Sequence, residues 1–81
     1  MPEYKGKYLF ISNARTEEGL ASQILGYDTA KEAEIKFFDE VSYGLKSDGI
    51  ILAHYIVVNE YGVKLGDLER IIDNQIPIAT E

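Results

Sequence analysis

Apolar and polar residues alternate along much of this chain, and the period of alternation changes from segment to segment. Tyr4 to Ser12 (YKGKYLFIS) reads as a strand, with Tyr8 and Phe10 on one face and Leu9 and Ile11 on the other, so that it is apolar on both sides. Asn13 to Gly19 (NARTEEG) is polar and reads as a connection. Leu20 to Tyr27 (LASQILGY) fits two descriptions. Thr16 would cap a short helix ending at Gly26, or the segment returns as a second strand. The strand is favoured, because a helix with its own start signal follows directly.

That signal is Asp28-Thr29, with Glu32 three residues beyond Thr29 as a capping box requires. From Ala30 to about Leu45 the apolar period becomes helical. Ala30, Ala33, Phe37, Phe38, Val41, Gly44 and Leu45 fall within an arc of about 140° on a helical wheel, opposite Glu32, Lys36, Asp39 and Tyr43. A helix over about 29–45 is therefore expected. Ser47-Asp48-Gly49 is a turn signal.

Ile50 to Asn59 (IILAHYIVVN) is β-branched and aromatic, bounded by turn residues, and reads as a long central strand. Asn59-Glu60-Tyr61-Gly62 predicts a hairpin turn with Gly62 at positive φ, and Val63 to Leu65 begins another strand. Asp67 to Asn74 (DLERIIDN) either continues that strand or forms a short helix with Leu68, Ile71 and Ile72 inward; the helix is slightly favoured. Gln75 to Glu81, with Pro77, is expected to lie extended on the surface. The elements predict a single α+β domain spanning residues 1–81. Its main helix packs on one face of an antiparallel sheet of three to four strands, in ββαββ-like order with a possible short C-terminal helix.

A sheet covered on one face by a helix should alternate apolar and polar residues along its strands. The Ile50 strand does not. Ile50, Leu52, His54, Ile56 and Val58 share one face, and Ile51, Ala53, Tyr55 and Val57 share the other. One helix covers one face only. The C-terminal segment, the loop after the first strand, or another molecule must cover the second. Closed homodimers are the commonest soluble assembly, and six tyrosines suit an interface. A homodimer is therefore expected, with Ile51, Ala53, Tyr55 and Val57 as the candidate interface.

Composition narrows the partners. The chain has 81 residues, and a domain of that size buries only about 60–65% of the surface its unfolded chain exposes. Small domains usually add disulfides, a metal or a partner subunit. With no cysteine and one histidine, disulfides, thiolate sites and imidazole-rich zinc sites are excluded, which leaves association. No cofactor or metal is expected. Fourteen Asp and Glu stand against eight scattered Lys and Arg, so no basic stripe for nucleic acid exists. An acidic surface that engages a basic, nucleic-acid-binding protein is the alternative the charge balance allows. The longest apolar run, Ile50 to Val58, is interrupted by His54 and far short of the ~20 residues that cross a bilayer. The start, Met1-Pro2-Glu3-Tyr4, shows no cationic region followed by an apolar stretch, so a cytoplasmic protein is expected.

Candidate chemistry is sparse. His54 is the one side chain whose ordinary titration lies near neutrality, and it sits mid-strand among aliphatics. Glu34 falls inside the apolar arc of the predicted helix, between Phe37 and Phe38. A pair between them across the core would orient the imidazole, and a small enzyme using His54 is a further alternative. Such an enzyme also needs a nucleophile or an oxyanion-stabilising group. No phosphate-binding glycine loop, nucleophile elbow, HExxH or calcium loop is present. Asp39 and Glu40 diverge by about 100° on the helix and do not converge on one site. Catalysis is not expected.

Tyr27-Asp28-Thr29, then Ala33 and Phe37-Phe38, then Val57-Val58-Asn59-Glu60-Tyr61-Gly62 resemble small uncharacterised proteins of bacterial phages and mobile elements, over residues 27–62. These motifs are structural: a cap, a helix face and a hairpin turn. The resemblance implies a small accessory protein and no particular activity. Where such proteins tend to carry a histidine near the second aromatic, this chain has Phe38.

Overall fold

The computed structural model describes residues 7–74; the extended tail expected over Gln75–Glu81 lies outside them. Strands β1 (Tyr8–Thr16) and β2 (Gly19–Tyr27), helix α1 (Ala30–Lys46), and strands β3 (Ile50–Asn59) and β4 (Lys64–Asp73) follow in that order. The strands form one sheet in the order β2-β1-β3-β4, with every neighbouring pair antiparallel. The α+β class and the ββαββ order are as the sequence predicts.

The segment over 20–27 is the strand. β1 runs on through Asn13–Thr16, so the expected polar connection shrinks to Glu17-Glu18. Thr16 closes this hairpin instead of capping a helix: its Oγ1 accepts from the Glu18 amide at 3.1 Å and donates to the Gly19 carbonyl at 3.3 Å. Gly19 takes φ +130° there.

Thr29 is the N-cap of α1. It holds an extended conformation (φ −125°, ψ 151°), and its Oγ1 accepts from the Glu32 amide at 3.2 Å. Glu32 in the first turn and Lys46 in the last complement the helix dipole. The buried stripe is narrower than the apolar arc. Ala33, Phe37, Val41 and Gly44 are buried, whereas Phe38 and Leu45 are more than half exposed. They flank the line along which α1 touches the sheet, so only half of the apolar arc is used.

The core forms where α1 crosses β1, β3 and β4. Phe10 stacks on Tyr55 with ring centroids 6.2 Å apart, and Phe37, Val41, Ala53, Val57 and Ile72 pack around them. Gly44 allows this close approach. A Cβ at that position would stand 2.6 Å from the Tyr55 hydroxyl and 3.0 Å from Ile72 Cδ1. The end of the helix is tied to the sheet by Asn74, whose Nδ2 donates to the Gly44 carbonyl (3.3 Å) and to the Ile50 carbonyl (2.8 Å).

The slightly favoured helix over Asp67–Asn74 is not formed: Lys64–Asp73 is a strand. A central apolar strand needs hydrogen-bonding partners on both edges, and the hairpin after Asn59 delivers one. Asn59 Oδ1 accepts from the Tyr61 and Val63 amides at 2.8 and 3.0 Å, and Gly62 takes φ +83° as expected. The register shifts opposite Ile56–Val58, with Gly66 at φ +57°. This bulge resets the alternation, so Leu65, Leu68 and Ile72 all pack toward the core.

A candidate interaction surface

Helix α1 lies on the face that carries Ala53, Tyr55 and Val57. Their exposures are 4%, 2% and 0%, and they belong to the same core as Phe37 and Val41. The candidate interface of Ile51, Ala53, Tyr55 and Val57 is thereby corrected. Three of its members are the floor of the core, and Ile51 is half-buried at the end of the same strand face. Both faces of β3 are equally apolar in sequence, so the pattern could not say which one the helix takes.

The open face is the other one, and the strand registers define it in rows across the sheet. Ile24, Ile11, Ile56 and Glu69 stand side by side in one row, with Gly26, Leu9, Val58 and Lys64 in the next. On the other side of the Ile24 row lie Ser22, Asn13, His54 and Ile71, then Leu20, Arg15, Leu52 and Asp73. An apolar band thus crosses the middle of the sheet. Ile24 and Ile71 are 41% and 67% exposed, Leu9, Ile11, Leu52 and Ile56 are half-buried, and Val58 is buried. No other element among the described residues lies over it.

A polar corner borders the band. His54 Nε2 lies 2.8 Å from Glu69 Oε2, and Lys64 Nζ lies 3.5 Å from Glu69 Oε1. The hydrogen bond from His54, with the Lys64 charge as a smaller contribution, holds the Glu69 carboxyl below its ordinary range. The partner of His54 is therefore Glu69, not Glu34. Glu34 is exposed on α1, in the opposite layer, beside Phe38 and Leu68. Its place inside the apolar arc needs no partner, because that flank of the arc is open to solvent. Sequence reasoning missed Glu69 because it read Asp67–Asn74 as helical; as a strand, the same residues set Glu69 opposite Ile56, two residues from Ile71, the cross-strand partner of His54, and on the same face as His54.

The polar row beside the band is not a catalytic relay. Ser22 Oγ donates to Asn13 Oδ1 at 2.6 Å, and Asn13 stands opposite His54. Ser22 is thus two strands, about 9.6 Å, from His54, too far to pass it a proton. On the helix side, a cleft of about 390 Å³ opens between β2 and the second half of α1, lined by Ser12, Gln23, Glu40, Tyr43 and Tyr55 among others. Burial pushes the Tyr55 phenol above its ordinary value, and the Glu40 charge adds to the shift. Among the described residues, no group of three or more His, Asp or Glu could hold a metal ion, and no helix is long and apolar enough to cross a membrane.

Comparison with protein-family models, with curated proteins and with solved structures returns no match.

Proposed function

We propose that this chain is a non-enzymatic, self-associating interaction module whose partner is a second copy of itself, joined through the open face of the sheet. One observation carries this reading: the band of Leu9, Ile11, Ile24 and Ile56, exposed or half-buried, lies on a face that no element of the described residues covers. Four strands about 4.8 Å apart and about 30 Å long present nearly 600 Å² in plan, near one partner's share of the smallest specific interfaces. The apolar band at the centre of this face, rimmed by Asn13, His54, Glu69 and Lys64, is the kind of exposed patch that marks an interaction site. A homodimer also adds the burial that a chain of this length lacks.

The acidic-regulator alternative receives less support. Carboxylates are spread over the β1–β2 turn, around α1, at Asp48, at the β3–β4 turn and along β4, with no single face gathering them. Enzymatic use of His54 would need a nucleophile in reach, and its neighbours are Glu69, Asn13 and Ile71.

Ile56→Lys tests the reading. The new ammonium would sit beside Glu69 in the row, compatible with the sheet and incompatible with a dry interface. Light scattering on a gel-filtration peak is expected to show the mass halved while the circular dichroism is kept. An unchanged mass would place the interface elsewhere.

A further inference from the structure

The two edges of the sheet are built differently. β4 carries Lys64, Asp67, Glu69, Arg70 and Asp73 and is bent by its bulge, the devices with which proteins keep an edge from pairing. β2 has none of them. Its nine residues (GLASQILGY) include no charge and no proline, its register with β1 is unbroken, and it is the end strand of the sheet. In a chain of net charge −6, this is an uncharged strip along which two copies can approach.

We propose that β2 pairs with the β2 of a second copy, antiparallel about a two-fold axis at Gln23, extending the sheet from four strands to eight. The side chains identify the occupant. With Gln23 opposite the partner's Gln23, Leu20 faces the partner's Gly26 and Ser22 faces the partner's Ile24, both on the open side. On the helix side, Ala21 faces the partner's Leu25 and Gly19 faces the partner's Tyr27. Every pair off the axis sets a small residue against a large one, and all nine residues are paired. Centring the axis on Ser22 instead would set Leu20 against Ile24 and leave Gly26 and Tyr27 unpaired. Centring it on Ile24 would leave Gly19 and Leu20 unpaired. Leu20, 77% exposed, gains the space over a glycine that has no side chain to fill it. The self-complementary order of sizes selects a second copy over an unrelated extended peptide. Charges begin only beyond the strand, where Glu18 would face the partner's Asp28, so the pairing tightens as salt rises.

This interface is distinct from the open face and combines with it: two eight-stranded sheets stacked face to face make a closed tetramer. Sedimentation equilibrium on the full chain separates the two. Gln23→Lys and Gln23→Glu each set like charges together at the axis. Each is expected to weaken the edge contact at least tenfold and halve the wild-type mass, and an equimolar mixture of the two is expected to recover it. Gln23→Ser, with no charge, keeps the wild-type mass, and circular dichroism verifies folding throughout. A wild-type mass in Gln23→Lys, or a mixture that fails to recover, overturns the edge pairing. If Ile56→Lys alone keeps the wild-type mass, the open-face reading fails and the edge pairing stands. A wild-type chain that is monomeric at 200 µM overturns both.

Discussion

Gly44 and Tyr55 are the residues through which α1 and the sheet come closest. Gly44→Ala gains about 1 kcal/mol of helix propensity and forces a methyl against the Tyr55 hydroxyl and Ile72. The clash is the larger effect, and urea unfolding is expected to show a net loss of about 1–2 kcal/mol. Adding Tyr55→Phe, which removes the hydroxyl, recovers part of it. Tyr55→Glu buries a carboxylate among Phe10 and Val57 and is expected to abolish folding rather than dissociate a dimer. The raised phenol makes Tyr55 a source of alkaline sensitivity. The unfolded chain loses the proton first, so stability is full below pH ~10 and falls as pH rises toward the folded value. Glu69 has the opposite sign. Its carboxyl is depressed in the fold, so its contribution is present above the ordinary glutamate range and is lost as pH falls through the folded value. In a carbon-detected NMR titration, Glu69 is expected to move back toward the ordinary value in His54→Ala. A Glu69 titration unchanged by that substitution would mean that the 2.8 Å contact contributes nothing in solution.

Individual elements were legible in the sequence to different degrees, for physical reasons. α1 was plain because a cap, a capping box and a helical period agree, and Thr29→Ala is expected to cost about 1 kcal/mol, read by thermal or urea unfolding. β3 was plain because a ten-residue segment rich in β-branched residues, bounded by turns and too short for a typical helix, fits a central strand. β4 was misread because Leu68, Ile71 and Ile72 also fit a helical stripe. Local pattern carries no record of the unpaired edge of β3, which decides the matter. Amide exchange is expected to reflect this, with the residues of β4 paired to β3 protected nearly as strongly as β1. Rapid exchange over Leu68–Ile72 would show that the strand is only loosely held. The end of β1 was hidden for a similar reason: Asn13 to Thr16 look polar enough for a loop, and only pairing with β2 and β3 makes them a strand.

At the scale of the whole molecule, the excess of apolar sheet surface was visible in the sequence, and its location was not. Two apolar faces and one helix imply a second face that α1 does not cover, and no other element of the described residues lies over it. Which face that is depends on how α1 packs, through Gly44 against Tyr55, and no periodicity in β3 encodes this. The candidate residues therefore moved from Ile51, Ala53, Tyr55 and Val57 to Leu9, Ile11, Ile24 and Ile56 while the reason for an interface stayed the same. The most direct test is sedimentation equilibrium of the wild-type chain beside Ile56→Lys at tens to hundreds of micromolar. Self-association through the open face predicts a wild-type mass above that of the 9.1 kDa chain, halved by the substitution with the fold intact. A monomeric wild type, or an assembly that Ile56→Lys leaves unchanged, would contradict it.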